Sequence, residues 1–239
     1  MSIKFENVVT PSPEQWRSVV MGARNPFNSW EKSDSEFDVD WIDDSVWPHE
    51  SGHDDVVLGP NDFDLLKRLR NAGTADHRKF MRMLPVHVTI TAPLYWWKEM
   101  DQYRIGVTTN SCSSMYQFHK KKFTMDDFSR EHLIENESIP TRVYSPKQMM
   151  EATVENLNIL RELYLKTKDK KYWWQMIQLL PSSYNQKRTV MLNYEVLANI
   201  YKSRKGHKLD EWNKLCSWIE TLPYNELIMG DSYVSKCED

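Results

Sequence analysis

Six residues, Val86 to Thr91, alternate Val, His, Val, Thr, Ile, Thr, and Ala92-Pro93 follows at once, so a strand has to end where a helix can start. The alternation puts Val86, Val88 and Ile90 on one face and His87, Thr89 and Thr91 on the other, which predicts a half-buried strand. Pro93 falls where a first helical turn tolerates it, and the bulky apolar groups from Leu94 to Tyr103 gather on one side. The next ten residues, Ile105 to Ser114, are rich in hydroxyls and carry no charge. They show neither period and are expected to form a polar loop. Strand, helix and loop follow one another almost without spacer, and the chemistry of the chain is expected there.

Helix signals frame this stretch. Ser12, Pro13 and Gln15 make a capped start for a helix through about Gly22. Asn61 and Asp62 open another, with Phe63, Leu66 and Leu69 as its stripe and Gly73 as its stop. Ser145-Pro146-Lys147-Gln148 starts a third, whose Met150, Val154 and Leu157 keep helical spacing up to about Thr167. Shorter helices are expected over Tyr172 to Leu180, Thr189 to Arg204 and Asp210 to Thr221. The resulting expectation is an α+β fold in one domain over residues 1–239. A mostly antiparallel sheet that includes Val86 to Thr91 is packed by helices beginning near Asn61, Pro93, Pro146 and Thr189.

Composition narrows the partners. With 239 residues and 40% apolar content the chain can bury a sizeable core. A net charge of −3 gives no electrostatic case for nucleic acid. No apolar run approaches the roughly 20 residues a bilayer needs, which points to a soluble, cytoplasmic protein without membrane contact. From Glu31 to Asp55 ten acidic residues face one lysine, and residues 31–58 read as an acidic surface excursion. Inside it His49-Glu50-Ser51-Gly52-His53 matches the HExxH zinc signature, which works only when both histidines share a helix face. Pro48 and Gly52 argue for a loop instead, so no metal site is assigned. Cys112, Cys216 and Cys237 are an odd number without paired spacing and suggest no disulfide framework.

With these elements placed, the chain resembles the flavin-dependent thymidylate synthases, the ThyX family. The family motif R-H-R-x-x-S-x-N-E-x-S-x-R-Y follows its strand and helix. Here the same place runs from Gln102 to Tyr116 with one residue added, and Arg104, Asn110, Ser113 and Tyr116 keep the Arg at the motif's third position, the Asn, the second Ser and the Tyr. Upstream, His77 and Ala92-Pro93 keep the family pattern. Downstream, Leu180-Pro181, Asn193, Asn199, Arg204, His207 and Trp212 keep its order. The ordered set spans about Asn61 to Thr221.

The resemblance implies reductive methylation of dUMP, or a related pyrimidine deoxynucleotide, at C5. FAD would be the cofactor, methylenetetrahydrofolate and NADPH the co-substrates, and a homotetramer with shared sites the assembly. Arg204 and Ser113 would be the catalytic positions. Glu99, Gln102, Ser111, Cys112, Ser113, Ser114 and Arg204 would meet the nucleotide, and His77, Arg104, Asn193, Asn199 and His207 the flavin. Guanidinium, hydroxyl and amide donors suit those anions.

Departures remove charge. Met115 replaces a motif Arg, Gln102 and Tyr103 replace Arg and His, and Glu195 stands where a cation is usual. A lost charged hydrogen bond costs about 1.5–3 kcal/mol. Lys98, Lys187, Arg188 and the Lys120 to Lys122 patch are the cations that would compensate by pointing inward. Cys112 is a new thiol among serines, a nucleophile if ionised and otherwise an inert small side chain. Three alternatives stay open beside the leading reading: a different one-carbon modification of a pyrimidine, a ThyX-fold nucleotide-binding protein without catalysis, and a chain whose aromatics are simply core.

Overall fold

The computed structural model describes residues 3–37, 56–112, 117–135 and 144–230. The HExxH match, most of the acidic excursion, Ser113, Ser114, Met115, Tyr116 and Cys237 lie outside the described residues. Six strands are described: β1 (Lys4–Val9), β2 (Glu36–Phe37), β3 (Val56–Val57), β4 (Pro85–Pro93), β5 (Thr108–Ser111) and β6 (Asn185–Asn193). β1, β4, β6 and β5 form, in that order, the antiparallel sheet expected. β2 and β3 make a separate antiparallel pair in the register Glu36 to Val57 and Phe37 to Val56. The helices are α1 (Pro13–Arg24), α2 (Pro60–Asn71), α3 (Lys79–Arg82), α4 (Leu94–Met100), α5 (Pro146–Thr167), α6 (Lys170–Leu179), α7 (Tyr194–Arg204), α8 (Asp210–Ile219) and α9 (Glu226–Met229).

β4 confirms the alternation, since Val86, Val88 and Ile90 are fully buried and His87 is exposed. Its other face is drier than predicted. Thr89 is buried too, because its hydroxyl is satisfied by that of Thr189 on β6 at 3.0 Å.

Two strands depart from expectation. β5 falls in the expected loop and has all four residues exposed, so no apolar period marks it. Its position at the sheet edge comes from backbone pairing alone. β6 takes the first part of the helix expected over Thr189 to Arg204. The run Thr189-Val190-Met191-Leu192 is apolar enough for either state, and periodicity cannot separate a short buried strand from a helix. Asn193 decides the boundary. Its Oδ1 accepts the Val196 N–H at 3.0 Å and caps α7.

The chain divides into two compact units. One comprises Met1–Asn7, Val88–Arg104 and Thr109–Val190. In it α5 begins at the predicted capping box of Ser145 and Gln148 and ends with Lys168 in the left-handed conformation. Val154 and Leu157 of α5 and Met176 of α6 pack with Phe123 and Phe128 into a small apolar core. α4 starts with Trp96 and Trp97 buried edge to face. Its first amides, Leu94 and Tyr95, donate to the carbonyls of Tyr184 and Ser182 at 3.0 and 2.9 Å. Backbone therefore does what a capping side chain does elsewhere.

The other unit comprises Val8–His87, Ile105–Thr108 and Met191–Asp239. α1 carries the full capping box of Ser12 and Gln15 and runs past Gly22 to Arg24. α2 begins one residue before the expected Asn61, and Asp62, Leu65 and Leu66 are its buried face. Asp34 caps it from outside, its carboxylate accepting the N–H groups of Asn61 and Asp62. Trp16 meets Tyr194 and Tyr224 edge to face in the core, and the Tyr194 hydroxyl donates to the Pro223 carbonyl at 2.6 Å. Burial first, then the neighbouring Tyr224, pushes the Tyr194 hydroxyl far above the ordinary tyrosine range.

Candidate functional site

Arg204, the last residue of α7, is the first of the expected site residues that geometry equips for a ligand. Gly206, at φ 73°, turns the chain so that His207 comes back beside it. The guanidinium lies 4.3 Å above the Trp212 ring, and Arg204 Nη1 is 3.2 Å from His207 Nε2. His207 Nδ1 accepts the Leu209 N–H at 3.1 Å. The guanidinium, stacked on Trp212 beside the imidazole, is a group that suits an anionic ligand. α8 supports the arrangement, with Asn213 Nδ2 donating to the His207 carbonyl at 2.7 Å and Trp212 fully buried.

His77 borders a cavity of about 530 Å³, within the roughly 300–1,000 Å³ of small-molecule sites. Its walls are mostly apolar and include Ala23, Phe27, Leu69, Phe80 and Met83. Asn25, Asp76, His77 and Lys79 supply the few polar groups. His77 itself is exposed. Glu195, expected to repel an anionic cofactor, does not stand alone. Arg82 holds its carboxylate through Nε and Nη2, and Arg78 Nε lies 3.9 Å away. The acid is neutralised inside its own unit, by residues whose partner no spacing rule revealed.

Asn193 is committed to capping α7, and its Nδ2 lies where a side chain on Gly106 would sit. Asn199 is exposed on the same helix. Arg204, His207, His77, Asn193 and Asn199 all belong to one unit.

Glu99, Gln102, Arg104, Ser111 and Cys112 belong to the other. Glu99 is half-buried, while Gln102, Arg104, Ser111 and Cys112 are exposed. Gln102 Nε2 folds back on the Lys98 carbonyl at 3.3 Å, and Arg104 Nε on that of Asp101 at 3.4 Å. Cys112 is an exposed free thiol, whereas burial pushes the Cys216 thiol up to about 11.

A group the motif reading passed over orders this region. Trp97 Nε1 donates to the Gln186 carbonyl at 3.0 Å, and Gln186 Nε2 donates to the Cys112 carbonyl at 2.9 Å. Arg188 Nε donates to Gln186 Oε1 at 3.0 Å, with its guanidinium 4.2 Å over Trp97. Lys187, next along β6, pairs with Glu6 at 3.0 Å. Once β6 is known to be a strand, its alternation places Gln186 and Arg188 on one face and Lys187 on the other.

No family model matches this sequence, and no curated protein does. Solved structures do. Thymidylate synthase X of Helicobacter pylori, crystallised with FAD and dUMP, is 18% identical with a TM-score of 0.60, covering 97% of this chain and 98% of that one. The UMP/dUMP methylase PolB of Streptomyces cacaoi, bound with 5-Br UMP, is 14% identical with a TM-score of 0.53, covering 92% and 89%. At such identities the likeness speaks for the architecture, and the chain has a ThyX-like fold.

Proposed function

We propose that this chain is a flavin-dependent enzyme that modifies dUMP, or a related pyrimidine deoxynucleotide, at C5. The observation that carries the reading is whole-length likeness in fold to an enzyme crystallised with FAD and dUMP. The local geometry supports it. Arg204, stacked on Trp212 beside His207, presents a guanidinium suited to an oxygen of the base or its phosphate. The apolar cavity beside His77 suits a planar ring, and Asn25 offers an amide at its wall. The cavity beside His77 would admit the flavin ring, with Asn199 and His207 of the same unit as further residues that would hold the cofactor. When bound, FAD supplies hydride, with NADPH and methylenetetrahydrofolate as the proposed co-substrates. Arg204 orients the nucleotide, and the apolar cavity wall keeps water from the reacting face.

In this reading Ser111, Cys112, Ser113 and Ser114 line the phosphate together with Glu99 and Gln102. The unit containing the long helix α5 also serves self-association into a tetramer with shared sites. A second reading, nucleotide binding without catalysis, is favoured by the motif cations lost at Gln102, Tyr103 and Met115.

Absorbance of the purified protein, together with melting in the presence of dUMP, tests the proposal. A bound flavin spectrum and a rise in melting temperature with dUMP are expected. Arg204→Ala should abolish the dUMP shift while the protein alone melts within a few degrees of the parent. A colourless protein that dUMP still stabilises selects the second reading, and no shift with either ligand removes both.

A further inference from the structure

We propose that Asp101 is a built-in anion that occupies the guanidinium of Arg188, and that Arg188, once released, takes the phosphate of the nucleotide. The inference rests on the reading of function above and names a phosphate ligand that the motif does not supply. The motif Arg replaced by Met115 leaves the phosphate short of one bidentate partner.

Arg188 has the properties of a replacement. Its side chain is only 14% exposed, and it carries the planar fork of N–H donors that matches a phosphate. Three contacts fix its orientation: the Trp97 face beneath it at 4.2 Å, Gln186 Oε1 on Nε at 3.0 Å, and Asp101 Oδ1 on Nη1 at 2.7 Å. Gln186 also holds the Cys112 carbonyl, so the amide that orients the guanidinium fixes the start of the segment expected at the phosphate.

The fork is not fully used. Nε and Nη1 each have one described partner, and among the described residues none is found on Nη2. Asp101 grips through a single oxygen and is 48% exposed, on the watery side of a covered cation. A half-exposed carboxylate held at one point is the group a phosphate can displace. The phosphate brings more charge and three acceptor oxygens, which satisfy two N–H groups of the fork in parallel. Asp101 meanwhile keeps the covered guanidinium compensated in the free protein.

The test is calorimetric titration of the full chain with dUMP and, separately, deoxyuridine, which lacks the phosphate. Arg188→Gln should weaken dUMP about ten- to a hundredfold and leave deoxyuridine unchanged, the loss of one charged hydrogen-bonding partner. Arg188→Lys should recover part of that loss, because an ammonium cannot offer the fork. Asp101→Asn should tighten dUMP severalfold without affecting deoxyuridine. A scaffold role for Arg188 would instead move both ligands together. Equal dUMP affinity in Arg188→Gln, or weaker dUMP binding in Asp101→Asn, overturns the proposal. If Arg188→Gln does not fold, Arg188→Lys and Asp101→Asn decide on the same criteria. If the parent binds neither nucleotide, the functional reading fails on its own. Inorganic phosphate then decides: Asp101→Asn must bind it more tightly than the parent, and equal affinity ends the idea.

Discussion

Asp62 shows how much one residue can carry. It is fully buried, and its carboxylate accepts from Arg24 Nε at 2.5 Å, from the hydroxyls of Ser33 and Ser35, and from the N–H groups of Asp34 and Ser35. Burial alone would raise its pKa, but the Ser35 and Ser33 hydroxyls, then Arg24, more than offset this and leave it below the ordinary value. With a lowered folded pKa, its contribution is fully present above the unfolded carboxylate value and is lost as pH falls through the folded one. Asp62→Ala strands the buried Arg24 and should cost about 3–5 kcal/mol in urea unfolding at neutral pH. The difference from the parent should shrink as pH drops into the acid range. A cost under about 1 kcal/mol, the worth of an exposed ion pair, would refute this account. In the sequence Asp62 was legible only as a helix opener, because its donors come from Arg24, 38 residues upstream, and from Ser33, Asp34 and Ser35, 27 to 29 upstream.

At the level of elements, the two proline-led helix starts and one strand alternation were readable. Ser12 with Gln15 and Ser145 with Gln148 form capping boxes where their spacing predicts them, and the β4 alternation delivers a buried face. What depends on distant pairing was not. β5 has no apolar residue to betray it, and β6 needed its neighbours to choose strand over helix. The site divides the same way. Arg204 and His207, named for separate roles by resemblance, meet within one turn, whereas Trp97, Asp101 and Arg188 meet only through β6. Gly106 joins the two kinds of information. It sits at φ 74°, and a methyl there would lie 2.8 Å from Asn193 Nδ2 and 3.1 Å from Val196 Cγ2. Gly106→Ala should therefore cost about 1–2 kcal/mol from the backbone alone, and more from the contact. Asn193→Ala should cost about 1 kcal/mol by uncapping α7. Since the second change removes the atom the first one strikes, the double variant should lose less than the sum in chemical denaturation. Strict additivity would show that the two positions do not touch in solution.

For the whole molecule, the balance of burial on α5 and α6 points outward. α5 spans 22 residues, about 33 Å at 1.5 Å per residue, yet only Val154 and Leu157 are buried. Met149, Ile159 and Leu165 are exposed on it, and α6 buries only Met176 while leaving Trp174 and Leu179 about half exposed. Helices draw most of their stability from the packing of an apolar face, and on α5 Met150, Leu160 and Tyr164 add part-buried packing to that core while the exposed apolar groups add none. A second copy of the chain would supply the missing cover, and the shared-site assembly proposed above requires one. Sedimentation at micromolar concentration should therefore report a species several times the 28.5 kDa of one chain. Ile159→Glu combined with Leu179→Glu should shift it toward the monomer with helical circular dichroism retained, since neither side chain belongs to the apolar core of that unit. A charge placed in such an interface loses its hydration without gaining a partner, so a marked drop in association is expected even from a pair of substitutions. A parent that sediments as a monomer, or a double variant that assembles unchanged, would assign these apolar residues to ordinary surface and withdraw the support they lend to shared sites.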